Sequence, residues 1–355
     1  TLGPLLLMRG LTVDRNRPDF AGLRSERDPE RFLWKVLPHA ARSFAASIVV
    51  LPRDQAMASA VAYLYCRMLD TYEDLIDDPA TCAAELQKFA GRFDASMETP
   101  TSIPDRMARD ERDRVYLLLI ERCELIDSIY EGFSPEVRDQ INFLVKSMAD
   151  GMVWSTEAFS SQGGVLLDED QLATYCRNVI GYPALFTLGQ VCDEELTQGA
   201  REDAFLVSEM IQLANVSRDV ERDLQRGIAY HPALRPYLGE SGYEGDSRQA
   251  VNEVREQYMA MALSRVPAYR RLFEGLNLGG TPPVRIASVL MLLFTDLHYR
   301  TTALRTGNSV WPGPRSTVQV VAASLPSLMS RSWAGHTVRR VEHYFLDAHS
   351  GLGRV

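Results

Sequence analysis

The sequence predicts an all-α protein folded as a single helical bundle. Three observations carry that expectation. Apolar residues recur at a period near 3.6 over long stretches, prolines and glycines fall between those stretches, and no series of short alternating strands occurs. In chain order the periodic segments are "MASAVAYLYCRMLDTYEDLI" (57–76), "EVRDQINFLVKSMADGMVW" (136–154), "DAFLVSEMIQLANVSRDVERDL" (203–224), "AVNEVREQYMAMALSRVPAYRRLF" (250–273) and "RIASVLMLLFTDLHYRTTALR" (285–305). Pro52, Pro79, Pro104, Gly163-Gly164, Gly239, Gly279-Gly280 and Pro312-Gly313-Pro314 punctuate the intervals. There is no internal repeat, low-complexity tract or long linker. The expected organisation is an N-terminal arm over residues 1–25 and one helical domain over 26–355, ending in a helical tail after about residue 316.

At 355 residues the chain is long enough to bury a large core, and its hydrophobic and charged contents, 46% and 24%, are those of a globular protein. A net charge of -9 argues against nucleic acid as a partner, because a nucleic-acid binder presents a basic face. An anionic substrate is still compatible where metal ions or clustered arginines mediate. The five cysteines (Cys66, Cys82, Cys123, Cys176, Cys192) show no CxxC spacing and read as reduced core thiols. No run reaches the roughly 18 apolar residues of a spanning helix, so the expectation is a soluble, cytoplasmic protein.

The segment "LDTYEDLIDD" (69–78) places Asp70, Glu73, Asp74, Asp77 and Asp78 directly after the apolar run "AVAYLYCRM". Clustered carboxylates repel one another and are costly to bury without a counter-charge, so this is either a solvated helix end or a seat for a cation. A second acidic stretch, "NVSRDVERD" (215–223), carries Asn215, Asp219 and Asp223 at i, i+4, i+8, which one helix face presents together. Asp70 and Asp74 share that spacing, with Glu73 beside them. Two such faces can hold Mg2+, which binds through one or two carboxylates together with substrate phosphates. Arg67, three residues before Asp70, and Arg218, beside Asp219, can bind phosphate oxygens bidentately or simply neutralise their acidic neighbours. One DxxxD alone is weak, because charged i, i+4 faces are common on exposed helices. Two, each with an arginine and an apolar lead-in, are harder to dismiss as a solvated surface, and such a pair in a helix bundle can recruit a diphosphate through metal.

Three blocks in order then resemble the squalene/phytoene synthase family of head-to-head prenyl transferases. They are "RSFAASIVVLP" (42–52), "RMLDTYED" (67–74), and "NVSRDVERD" with the following "RGIAYHP" (226–232). "TYCRNVIGYPA" (174–184) and "GNSVWPGPRST" near the C-terminus are weaker echoes, and the resemblance spans roughly residues 39–320. It implies an all-α isoprenoid-synthase fold with a central cavity and the two acidic motifs facing each other near its mouth. It implies Asp70, Asp74, Asn215, Asp219 and Asp223 as Mg2+ ligands, and Arg42, Arg67 and Arg218 as diphosphate-binding residues. Ser43 and Phe44 would line the cavity near the reacting carbons, and Tyr175 would steady a carbocation or handle a proton. Core packing is the alternative for Phe44 and Tyr175, and Tyr65, Met152 and Phe186 read as core.

The implied activity is Mg2+-dependent coupling of two prenyl diphosphates. Farnesyl diphosphate and a squalene-type product are favoured by the form "DTYED", and NADPH is then a second cofactor. Two geranylgeranyl diphosphates giving a phytoene-type product is the alternative, as is a terpene synthase that cyclises or hydroxylates a single prenyl diphosphate. A non-catalytic helical scaffold ranks below these, since it would have no reason to keep the four aspartates. Peripheral contact with a membrane for product release is a further implied partner surface. The sequence departs from the family pattern at Arg222, where an acid usually precedes the last aspartate, and at Leu75, where squalene synthases often have another aspartate. It departs again at Asn178, Ile180, Tyr182 and Pro183 after Tyr175. Arg222 either contacts phosphate or weakens the metal site, and Ile180 and Tyr182 reshape the cavity if they point inward.

Overall fold

The computed structural model describes residues 16–94, 97–192, 194–240, 242–307 and 312–352, with Leu6, Val13 and Asp14, except for the side chains of Arg42, Ser43 and Leu352. The expected roles of Arg42 and Ser43, part of the N-terminal arm, and residues 308–311 of "GNSVWPGPRST" therefore lie outside the described residues. Among those described there is no strand, only one isolated parallel bridge between Val165 and Ala229. The all-α expectation is met. The chain divides into two compact units, Thr1–Thr156 and Glu157–Val355, and the boundary falls inside one helix.

In the first unit, α1 (Phe20–Ser25) precedes α2 (Pro29–Val49), which Asp28 caps by accepting the Arg31 N–H at 2.7 Å. Proline at the first helical position costs α2 no hydrogen bond, because that N–H has no partner within a helix. Leu51 and Pro52 end the α2 connection, and α3 (Arg53–Leu75) begins at once. Its apolar residues Val61, Leu64, Tyr65, Met68, Leu69 and Tyr72 are buried. They recur at three and four residues and so form one continuous stripe. Asp78 caps α4 (Pro79–Gly91) through the Thr81 N–H at 2.9 Å. Then α5 (Glu111–Glu121) and α6 (Cys123–Glu131) pack on α2 and α3. The long α7 (Pro135–Ser161) buries Ile141, Leu144, Val145, Met148, Ala149 and Met152, again on one face.

Behind α3 lies an aromatic cluster of Tyr65, Phe89, Phe93 and Tyr130, with Tyr65 and Phe93 edge to face at 5.1 Å. The charges buried beside it, Asp127 and Arg92, neutralise each other. Asp127 accepts the Tyr65 hydroxyl at 2.8 Å and the Arg92 guanidinium at 2.6 Å. Burial pushes the Asp127 carboxyl up from its ordinary range, and Arg92 opposes that shift. Tyr65 and Met152 are thus core, as expected from the sequence.

In the second unit, α8 (Glu169–Cys176) runs into a π-helical segment, Arg177–Gly181, and on into α9 (Tyr182–Val191). The long α10 (Gln198–Gln225) is capped by Thr197 and packs against α11 (Asp246–Leu263), α12 (Val266–Gly275) and α13 (Pro282–Thr306). The tail forms α14 (Thr317–Ser324), α15 (Pro326–Met329) and α16 (Arg331–Leu352), all packed on α13. Fully buried Glu209 of α10 joins two distant arginines, Arg177 at 2.9 Å and Arg265 at 3.0 Å. That pairing fastens the π segment and the start of α12 to the same helix.

Removing one member of a buried ion pair leaves the other charge desolvated, which costs about 3–5 kcal/mol, whereas an exposed pair contributes under about 1 kcal/mol. Asp127→Ala is therefore expected to lower unfolding stability by about 3–5 kcal/mol. Asp94→Ala, which removes the exposed partner of Lys146, should change it by less than about 1 kcal/mol. Urea titrations of the two variants measure the contrast directly.

Candidate active site

The acidic segment at the end of α3 is sorted by local structure. Asp78 is spent as the cap of α4, and Asp77 is exposed. Arg67, Asp70, Glu73 and Asp74 are half-buried, one turn apart on a polar stripe beside the apolar one. Glu73 accepts the hydroxyl of buried Ser155 at 2.8 Å, which ties it to α7. That leaves Asp70 and Asp74 as the pair bordering Arg67.

Arg67 is held from several sides. One terminal nitrogen lies 3.0 Å from Asp70 Oδ2 and the other donates to Tyr63 Oη at 3.1 Å. Its guanidinium also lies 5.2 Å from the Tyr116 ring centroid, a cation–π distance. Its Nε is buried without a hydrogen-bond partner among the described residues. Tyr63 in turn donates to the Ala40 carbonyl at 3.3 Å and sets its ring 5.8 Å from that of half-buried Phe44. Phe44, expected near the reacting carbons, is therefore linked through Tyr63 to the first acidic motif. Tyr63 itself was missed in the sequence, although it sits one helical turn before Arg67.

Burial pushes the Asp70 carboxyl up from 3.8 to about 6; Arg67 pulls against that shift and neighbouring Asp74 adds to it. A carboxylate costly to ionise in this setting gains from any further positive charge beside it. Two carboxylates one turn apart and a spare buried guanidinium N–H suit a hard divalent cation with a phosphate attached. Among the described residues no group of three or more His, Cys, Asp or Glu side chains forms a ready cage. Mg2+ does not need one, since it ordinarily takes one or two carboxylates and completes its shell with phosphates and water.

The second motif repeats this arrangement on α10. Asn215, Asp219 and Asp223 are half-buried at successive turns, while Val216, Ser217, Val220 and Leu224 are buried. Arg218 grips Asp219 with two parallel bonds, Nε to Oδ1 at 2.8 Å and Nη2 to Oδ2 at 2.5 Å. Its remaining terminal nitrogen lies 3.3 Å from His298 Nδ1 on α13, and Arg305 donates to the Arg218 carbonyl at 2.6 Å. Asn215 donates to Gln212 at 3.1 Å.

Glu221 does not belong to this face. Arg255, buried to 1% exposure, donates to Glu221 Oε2 at 2.6 Å and to the Ser217 carbonyl at 2.7 Å. Arg222, the departure from the family pattern, is exposed in the last turn of α10.

Tyr175 is buried at the end of α8 in a set of three rings. Its hydroxyl lies 3.1 Å from that of Tyr230, with ring centroids 4.9 Å apart, and Phe159 stands edge-on to both. Tyr230 belongs to the segment "RGIAYHP", which backbone bonds fasten to the loop after α7. Ala229 N–H donates to Gly164 O at 2.8 Å and Leu166 N–H donates to Ala229 O at 3.0 Å. Gly164 permits this approach, since it has φ of +83° and a Cβ there would stand 2.3 Å from the Gly227 carbonyl oxygen.

The π segment follows Tyr175 directly, closing with a bond from Tyr182 N–H to Arg177 O. Single-turn π segments inside α-helices are frequent at functional sites. The unusual residues of this stretch, Asn178, Ile180, Tyr182 and Pro183, are half-buried, and Tyr182 packs edge-on against Phe205 at 6.2 Å. Phe186 is buried core.

The family profile described as squalene/phytoene synthase matches residues 37–303 of the chain. The squalene synthase ERG9 of Candida albicans is 28% identical over 224 residues, which cover 61% of this chain and 48% of that protein. The squalene synthase of Eremothecium gossypii is 26% identical over 204 residues, covering 56% and 45%. The chain thus spans about half the length of the curated relatives it matches. Among solved structures, a complex of TcSQS with the ligand E5700 has a TM-score of 0.61 at 19% identity, covering 90% of this chain and 99% of that one. A complex of TcSQS with BPH1237 has a TM-score of 0.61 at 18% identity, covering 92% and 98%. At such identity the likeness shows the fold.

Gly164→Ala is expected to destabilise the protein by more than about 1 kcal/mol, because it combines a left-handed φ with a backbone collision. Gly239→Ala, at φ +79° but with open space around the added carbon, should cost about 1 kcal/mol, from φ alone. Thermal melts of both variants test the difference. Near-ultraviolet circular dichroism should report a disturbed Tyr175–Tyr230 environment only for the first.

Proposed function

The chain belongs to the squalene/phytoene synthase family, and from that premise we propose that it couples two prenyl diphosphates head to head in a Mg2+-dependent reaction. Farnesyl diphosphate is the favoured substrate, on the form of the first motif, "DTYED" at 70–74, and because the matched relatives are named squalene synthases. The observation that carries the reading is a repeated one. Each acidic helix face keeps half-buried aspartates beside its own arginine, Arg67 with Asp70 and Arg218 with Asp219.

Bound Mg2+ would supply Lewis-acid stabilisation of the departing diphosphate. In the first unit Asp70 and Asp74 would be its ligands, in the second Asp219 and Asp223 with Asn215 assisting, and Arg67 and Arg218 would bind phosphate oxygens. To do so each arginine shares its hydrogen bonds between its aspartate and the substrate, which the five donors of a guanidinium allow. In the reaction the allylic C–O bond breaks and its electron pair leaves with the diphosphate. The double bond of the second substrate attacks the resulting cation, and loss of a proton closes a cyclopropylcarbinyl diphosphate. Aromatic faces and the absence of water protect such a cation. Phe44 and Tyr63 supply rings beside the first motif. Tyr175 and Tyr230 supply a hydroxyl pair on which a released proton can be passed.

A second reading, ionisation of one prenyl diphosphate followed by cyclisation or capture of water, is favoured by the half-buried Ile180 and Tyr182 around the π segment. The two readings separate by product mass. Incubation with Mg2+ and C15 or C20 diphosphate, with and without NADPH, is expected to give a C30 or C40 hydrocarbon. Dependence on NADPH would identify the reductive, squalene-type reaction. Asp70→Asn and Asp219→Asn should each lower turnover by about two orders of magnitude or more. A product no larger than its substrate would replace coupling with the second reading.

The raised carboxyl of Asp70 sets a pH dependence. With the folded value near 6 and the ordinary value at 3.8, ionising this group disfavours the metal-free fold as pH rises through that window. Mg2+ requires the ionised form, so its affinity should fall as pH drops below about 6, approaching tenfold per pH unit for one proton displaced. Calorimetric Mg2+ titrations between pH 5 and 8 should show this break in the wild type and lose it in Asp70→Asn.

A further inference from the structure

We infer that His298 is a positioning residue for Arg218: it accepts a hydrogen bond that holds the guanidinium against Asp219 and leaves one N–H on each terminal nitrogen for the diphosphate. The inference rests on the reading above, in which Arg218 binds phosphate oxygens. It starts from an unusual feature of the second acidic motif. Neighbouring residues of a helix do not face each other. Arg218 nevertheless reaches sideways to the residue next to it and grips Asp219 with Nε at 2.8 Å and Nη2 at 2.5 Å. A flexible arm bent around its own helix is costly to order, so a second contact is needed to hold the bend.

Helix α13 supplies that contact. Arg218 Nη1 lies 3.3 Å from His298 Nδ1, and Arg305, two turns further along α13, donates to the Arg218 carbonyl at 2.6 Å. Side chain and main chain of Arg218 are thus fastened to one helix. That helix is itself set in register on α10, because Tyr299, fully buried next to His298, donates its hydroxyl to the Met210 carbonyl. His298 and Arg218 are both half-buried, and the imidazole is presented from a backbone that is already tied down.

The protons fix the roles. A guanidinium only donates, so Nδ1 is the acceptor in this contact, which requires a neutral ring carrying its proton on Nε2. Of the five N–H groups of a guanidinium, Nε and one on Nη2 go to Asp219, and one on Nη1 goes to His298. One on each terminal nitrogen remains. Such a pair is the fork that takes phosphate oxygens bidentately. Without an acceptor at position 298 the Nη1 end is released, and the fork loses its direction.

The test is calorimetric binding of farnesyl thiodiphosphate, with saturating Mg2+, to the full chain and to variants whose folding is checked by circular dichroism. His298→Leu and His298→Ala, which offer no acceptor, are expected to weaken binding about tenfold, as for one lost hydrogen bond to a charged group. His298→Asn, whose side-chain oxygen stands close to where Nδ1 does, should recover most of the affinity. Arg218→Gln should weaken binding by more, and adding His298→Leu to it should cost nothing further, because the histidine acts only through the arginine. A lost packing contact would give neither the recovery nor the non-additivity. Three results overturn the proposal while leaving the proposed reaction standing: wild-type affinity in both His298→Leu and His298→Ala, failure of His298→Asn to recover binding, or equal weakening by His298→Leu with and without Arg218. A wild type that does not bind the analogue, or an Arg218→Gln variant that binds it as the wild type does, overturns the premise and the inference with it.

Discussion

The neutralisation of half-buried carboxylates on otherwise apolar helices is the constraint from which the rest of this protein follows. A helix such as α3 buries its stripe of Val61, Leu64, Tyr65, Met68 and Tyr72 and cannot avoid drawing the adjoining stripe part-way out of water. Aspartates there raise the cost of folding unless a cation answers them. Arg67 answers Asp70 and Arg218 answers Asp219, and for Asp70 the answer is partial. Asp70 stays hard to ionise, and a second aspartate stands one turn further along each helix. In the proposed reaction a bound metal would bring the further positive charge that favours an ionised Asp70.

Around each acidic face the remaining acids and bases are spent on holding position. Glu73 is tied to Ser155, and Glu221 to Arg255. Glu209 binds two arginines that would otherwise lie free along α10. These pairings occupy Glu73, Glu221 and Glu209 and tie down the helices that carry the two acidic motifs. The aromatic groups are arranged with similar economy: Phe44 and Tyr63 beside Arg67, and Tyr175, Tyr230 and Phe159 in mutual contact. Both groups set aromatic faces beside hydroxyls, surroundings that would suit the carbocation of the proposed reaction.

Much of this was legible in the sequence, and what was not shares one physical cause. The periodic segments became α3, α7, α10 and α13, because repeated apolar spacing is a local property, while the stretch 250–273 divides into α11 and α12 before Pro267. The Asp70/Asp74 and Asn215/Asp219/Asp223 faces were equally local. Hidden were features made by residues far apart in sequence: Arg255 reaching back to Ser217, His298 meeting Arg218, Tyr230 meeting Tyr175. The π segment could not be read either, since its extra residue is accommodated by Gly181 lying against Phe205 of another helix.

The measurement that bears most directly on the central claim is calorimetric binding of an unreactive prenyl thiodiphosphate, with and without Mg2+, to the wild type and to Asp70→Asn and Asp219→Asn separately. Binding that requires Mg2+ and is weakened at least tenfold by either substitution would establish that both acidic faces take part in holding metal and diphosphate. Binding that is independent of Mg2+, or indifferent to both substitutions, would contradict the account and return the two acidic helices to the status of charged surface.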